Sequence, residues 1–121
     1  MTMTGDVLSA NNIVRQLAAL GRDLDTAVEM IREADTDAVS KRQAADLAES
    51  RAFVSAEGSM DMRRHTARIA VERQERDALV AEALVRYLRN RIKSIETRID
   101  LGRSMNAAHR AELAALPGRE S

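Results

Sequence analysis

Apolar residues recur along this chain at alternating steps of four and three. Ile13, Leu17, Leu20, Leu24, Ala27, Ile31 and Ala34 are spaced 4,3,4,3,4,3, the a/d stripe of a helix that packs on a partner at a shallow angle. A first helix is expected over 7–34, entered after Asp6 or Ser9. Gly21 costs it about 1 kcal/mol relative to Ala, but the stripe stays in phase on both sides. Ala34-Asp35-Thr36-Asp37 reads as a break. Ser40 and Gln43 have capping-box spacing, and a second helix is expected over 37–57 with Ala44, Leu47, Arg51 and Val54 on one side. Gly58 then suits a left-handed C′ position and Ser59 the cap of the next helix.

No breaker follows from Met60 to Gly102. Ala67, Val71, Gln74, Ala78, Ala81, Val85, Leu88, Ile92, Ile95 and Ile99 step 4,3,4,3,4,3,4,3,4, which predicts a long helix over about 60–101, roughly 60 Å in length. Gln74, the one polar seam residue, is the candidate for fixing register. Gly102 and Ser104 mark a turn before a short helix over 104–116, whose buried side is Met105, Ala108, Leu113 and Leu116; Pro117 begins a tail, 117–121. No other predicted helix matches the long one, so its seam calls for two shorter helices in turn or for other subunits. Leu79, Leu84 and Tyr87 form a second apolar line beside it. The expectation is a single all-α domain over 1–121, a helical hairpin or bundle with one long C-terminal-half helix. It assembles as a coiled-coil-like oligomer through Val85, Leu88, Ile92, Ile95 and Ile99.

Composition supports the helical class and narrows the chemistry. The 121 residues include one Pro, one Phe, one Tyr, no Trp and no Cys. Good helix formers without β-branched clusters argue all-α, and a core this poor in aromatics is thin. The absence of Cys excludes a disulfide framework and thiolate metal sites. No segment approaches the roughly 18 apolar residues of a membrane span. The first twenty residues lack a cationic start and an apolar stretch, so no signal peptide is expected, and the expected location is the cytoplasm.

The net charge is zero, with nineteen basic and nineteen acidic side chains, yet the halves differ. Residues 1–59 carry six Lys+Arg and ten Asp+Glu, a balance of −4, and residues 60–121 carry thirteen and nine, a balance of +4. Acidic side chains crowd 23–37 and basic ones 86–110. With Val85 at a, Arg89 and Glu96 fall at e and Arg91 and Arg98 at g, positions where charges flank and pair across a seam. A second basic group, Arg63, Arg64 and Arg68, follows the turn, with Lys41, Arg42 and Arg51 in the helix before it. Such a group holds phosphate through charge and bidentate contacts, with Phe53 as the one base-stacking candidate; a solvated helix face is the plainer account. His65 reads as a surface histidine and His109, four residues from Met105 and Leu113, as a half-buried structural one. No phosphate loop, nucleophile elbow, metal signature or paired carboxylates stand in their needed context. The chain is expected to be no enzyme and to need no metal or cofactor.

Ser59-Met60-Asp61 after the turn, Ile92-Lys93-Ser94 near the end of the long helix and Arg110-Ala111 in the last one resemble segments of the phage recombination mediators of the UvsY type. The order of features is similar too, over roughly 47–113. That family has two basic residues before the turn for single-stranded DNA; Arg51 matches one, and Glu49 stands at the other, which moves the contact to Arg63, Arg64 and Arg68. The resemblance implies a ring-like homo-oligomer that binds single-stranded DNA and helps load a recombinase onto strands covered by single-strand-binding protein. On that reading basic residues from several subunits converge, and avidity replaces a strong single site. The alternative is a helical structural or adaptor protein acting only through coiled-coil contacts with other proteins.

Overall fold

The computed structural model describes residues 3–117, with side chains from residue 11 onward. Three α-helices account for them: α1 (Met3–Ser55), α2 (Met60–Ala70) and α3 (Glu72–Ala115). The described residues contain no strand. The all-α class and the hairpin are as the periodicity predicts, but the helix boundaries differ at three places.

The expected break at residues 34–37 is absent: α1 runs on to Ser55. Ala34 and Ala38 are both buried while Asp35, Thr36 and Asp37 are all exposed. Three polar residues between two core positions one turn apart are an outward face, and none of them is a Gly or Pro. Thr36 satisfies its hydroxyl inside the helix by donating from Oγ1 to the Arg32 carbonyl, 3.1 Å away. Helices expected at 7–34 and 37–57 are therefore one.

The second difference divides the long helix. Val71 leaves helical geometry, with φ −108° and ψ 13°, although Ala67 still accepts from its N–H and it accepts from the Glu75 N–H. Val71 is β-branched and stiff at χ1, and its side chain is buried. The seam then passes from Val71 to Ala78, leaving Gln74 exposed. Gln74 is thus no core register residue.

Third, α3 continues through Gly102 to Ala115 with no turn. The inward phase runs Ile99, Gly102, Asn106, His109, Leu113, all half-buried, again in steps of three and four. Met105 and Leu116, expected on the buried side, are exposed. Gly102 is small because the opposite helix is close: a Cβ there would stand 2.8 Å from Leu17 Cδ2.

The turn itself is as the sequence predicts. Gly58 has φ +103°, a region costly for other L-residues. Ser59 caps α2, its Oγ accepting from the Met62 N–H at 3.3 Å. Arg63 Nε donates to the Gly58 carbonyl at 3.1 Å.

The chain divides into two compact units, Met1–Val28 with Asn90–Ser121, and Glu29–Arg89. In the second, α1 folds back on α2 and the first half of α3. Its buried cluster joins Ala34 and Ala38 of α1 to Ala81, Val85 and Leu88 of α3, with Ile31 packed against it. Ala45, Ala67, Val71 and Ala78 are buried as well. In the first unit, Ala27 and Ile95 are buried, and Ile13, Leu17, Leu20, Leu24, Ile92 and Ile99 are half-buried.

The seam is covered from within the chain. At 53 residues α1 is longer than the 44-residue α3, so the long seam does have a partner of sufficient length in its own chain. Val85 and Leu88, expected at a subunit interface, are buried within the 29–89 unit, Leu88 to 1% exposure. Ile95 is buried and Ile92 and Ile99 half-buried in the other unit. Val85, Leu88 and Ile95 are thus covered within the chain, and Ile92 and Ile99 are covered in part.

Candidate interaction surfaces

With the seam enclosed, what the chain offers to other molecules lies on the outer helix faces and the grooves beside the seam. Six basic residues were singled out from the sequence as a nucleic-acid contact, and the structure separates them. Lys41 Nζ lies 2.9 Å from Asp37 Oδ2, one turn away on the same helix.

Arg42 is committed further. Its Nη1 donates to Glu75 Oε2 at 2.7 Å, while Nε and Nη2 reach the two oxygens of Glu82 at 3.1 and 2.8 Å. The fork on Glu82 is the bidentate geometry in which guanidinium and carboxylate fit best. Both partners respond. The hydrogen bonds it donates to Glu82 and Glu75 hold the guanidinium well above its ordinary pKa, and the same bonds hold the Glu82 carboxyl below its own. A guanidinium so occupied is not free for a phosphate, so Arg42 leaves the candidate DNA contact and becomes a structural clamp. Sequence spacing alone does not reveal it: Arg42 and Glu82 are forty residues apart, and only the antiparallel return of the chain joins them.

Arg51, Arg63, Arg64 and Arg68 do gather at the turn end of the 29–89 unit, but on more than one side. Arg64 lines a groove with Asp46, Glu49 and Phe53, and Arg68 lines the next with Asp46, Glu49, Glu72 and Glu75. Carboxylates therefore accompany both. Arg51 stands about 140° round α1 from Asp46, at about 100° per residue, and so faces elsewhere. Arg64 also pairs loosely with Asp61 at 3.7 Å.

Where the acidic and basic stretches come together it is at Asp35, with no ion pair between the two stretches among the described residues. Asp35 shares a groove with Arg86 and Arg89, together with Val39 and the Arg42–Glu82 pair.

Two apolar features stay open. One is a groove in the unit formed by 1–28 and 90–121, lined by Ile13, Leu17, Leu20, Leu101 and Met105, with Arg98 at its edge. The other is the outer side of α3. Val80, Leu84 and Tyr87 are exposed at 65, 46 and 59%, and Leu79 is exposed too. Of the second line expected from the sequence, Leu84 and Tyr87 share this row with Val80, whereas Leu79 lies about 140° round the helix from Leu84 and borders the groove beside Arg42.

His65 is exposed. His109 is half-buried, with its Nε2 enclosed and without a hydrogen-bond partner among the described residues. No group of three or more His, Asp or Glu among the described residues is placed to hold a metal ion. No described helix is long and apolar enough to cross a membrane. No family model matches the chain, and neither a curated protein nor a solved structure shows significant similarity to it.

Proposed function

We propose that the chain is a non-enzymatic helical adaptor that works through protein–protein contacts of coiled-coil type. The carrying observation is the exposed row Val80, Leu84 and Tyr87 on α3. Its steps of four and three are those of a seam, and the chain's own α1 is already spent on another side of α3, about 110° round the helix. An apolar row at that spacing suits another helix, which would add to the hairpin as a third member.

The test is a purification of bound proteins from the native cell, followed by identification of the partner and reconstitution with that partner purified. Replacing Leu84 and Tyr87 by Lys should abolish the reconstituted complex while leaving the melting temperature nearly unchanged. Equal binding by the Lys variant, or a chain that retains only nucleic acid, contradicts the reading.

A second reading follows the resemblance: a single-stranded-DNA-binding recombination mediator that forms a ring-like homo-oligomer, works with a recombinase and a single-strand-binding protein, and acts in the cytoplasm of a bacterial host. What favours it is the gathering of Arg51, Arg63, Arg64 and Arg68 at one end of the 29–89 unit, with Arg51, Arg64 and Arg68 exposed. Copies would then associate by their outer rows rather than the seam. Fluorescence anisotropy with an unstructured oligonucleotide across a salt series tests it. Binding that weakens steeply with salt and is lost on charge reversal of Arg63 and Arg64 supports it; no binding at low salt excludes it.

A further inference from the structure

The charges flanking the seam of the 29–89 unit form a pattern with one consistent alignment. On α1, Asp35, Arg42 and Glu49 follow one another at heptad intervals, and on α2 and α3 so do Arg68, Glu75, Glu82 and Arg89. These two columns line the same run of grooves. Asp35, Arg42, Glu82 and Arg89 border one; Arg42, Glu49, Arg68 and Glu75 border its neighbour. Arg42 reaches across to Glu75 and Glu82 together.

The apolar layers between the columns discriminate weakly. On α1 the buried positions of this unit are alanines only, Ala34, Ala38 and Ala45, and Ala38 packs in a cluster with Ala81, Val85 and Leu88 of α3. Sliding α1 by seven residues in one direction exchanges one small side chain for another there. Those alanines do not resist that slip as an interlocked Leu or Ile would, and Ile31 is the one larger α1 side chain packed on this cluster.

We infer that Arg42 is the register lock of this hairpin, and that the flanking charges penalise either heptad slip. Moving α1 by one heptad in one direction carries Glu49 into the position of Arg42, between Glu75 and Glu82, and brings Arg42 beside Arg89. Moving it the other way carries Asp35 between the same two glutamates and brings Arg42 beside Arg68. Each slip therefore sets three carboxylates together and two guanidiniums together. Each slip leaves Arg42 beside one of the two glutamates, and only the observed alignment sets it between both. A charge-assisted, three-bond arrangement bridging both helices rewards that alignment, and like-charge contact disfavours its neighbours. Single polar or charged groups at a seam commonly act in this way, setting alignment more than stability.

The chain has no cysteine, so introduced pairs report register cleanly. One cysteine replaces Ala81, and the other replaces Ala38 for the observed register or Ile31 or Ala45 for the two slips. With the native charges, oxidation should link 38 to 81 efficiently and the other two pairs at least tenfold less. Arg42→Met, which removes the lock without adding repulsion, should raise linkage of the 31 and 45 pairs several-fold at unchanged helical content. Arg42→Glu should lose preference for the 38–81 pair or lose helical signal. Combining it with Glu75→Arg and Glu82→Arg should restore both. The proposal is overturned if Arg42→Met keeps the native linkage pattern, or if the reversed triple variant does no better than Arg42→Glu alone.

Discussion

Two glycines inside long helices give a direct measure of how the first unit is packed. Gly21 of α1 has nothing within 4 Å of where a Cβ would sit. Replacing it by Ala adds helix propensity and meets no obstacle, so Gly21→Ala should stabilise the fold by about 1 kcal/mol. For a chain of this size that raises the melting temperature by roughly 3–5 °C. Gly102 of α3 offers the same propensity gain, but its Cβ would lie 2.8 Å from Leu17 Cδ2 and 3.3 Å from Leu17 Cγ. Comfortable carbon contacts are about 3.5–4.0 Å, so the Leu17 side chain must turn away or the helices must part. Overpacking of this kind costs about 1–3 kcal/mol, which cancels or outweighs the gain. Gly102→Ala should therefore be neutral to about 2 kcal/mol destabilising, a difference of at least about 1 kcal/mol between two nominally identical changes. Urea unfolding followed by far-ultraviolet circular dichroism reads both, with an unchanged m-value showing that only stability moved. Equal stabilisation by the two substitutions refutes the close approach of Leu17 to Gly102.

Other consequences can be checked in the same way. Leu88→Ala empties the most enclosed large side chain, 1% exposed, and should cost about 2–5 kcal/mol in denaturant unfolding. Gly58→Ala puts a Cβ on a residue at φ +103° and within 3.3 Å of Met62 Sδ, and should lower stability by about 1–2 kcal/mol. The Glu82 carboxyl is held below its ordinary pKa of 4.5 by the bond from Arg42. Its contribution is therefore complete above that ordinary value and is lost as pH falls through the lowered one. Stability should fall on acidification below about pH 4.5, and Glu82→Gln should remove part of that fall; an identical acid profile in the variant would exclude the clamp. Leu84→Lys with Tyr87→Lys should shift stability by no more than about 0.5 kcal/mol, as outward positions do.

The seam was legible because burial repeats at the period of the helix. Of the ten positions from Ala67 to Ile99, all but Gln74 face inward. Gly58 and Ser59 were legible because a left-handed residue and a hydroxyl cap are local needs. The break expected at residues 34–37 rests on composition alone. Asp-Thr-Asp looks like a loop, but an outward helix face accepts the same residues, and Ala34 and Ala38 kept the phase that decides between them. With α1 unbroken to Ser55, the long seam no longer calls for other subunits to cover it. The bend at Val71 carries no Gly or Pro to announce it. By sequence Arg42 groups with its neighbours as a phosphate ligand, whereas its partners Glu75 and Glu82 come from the returning helix. Long-range charge pairing is visible only once the fold brings the columns together.

Whether each polypeptide covers its own seam can be read from a single covalent link. A variant carrying Ala38→Cys and Ala81→Cys, oxidised at low micromolar concentration and run without reductant, should give one species at the 13.4 kDa of the single chain. A product of twice that mass, linked between chains, would mean that α1 pairs with the α3 of another copy and that the enclosure described here belongs to an assembly.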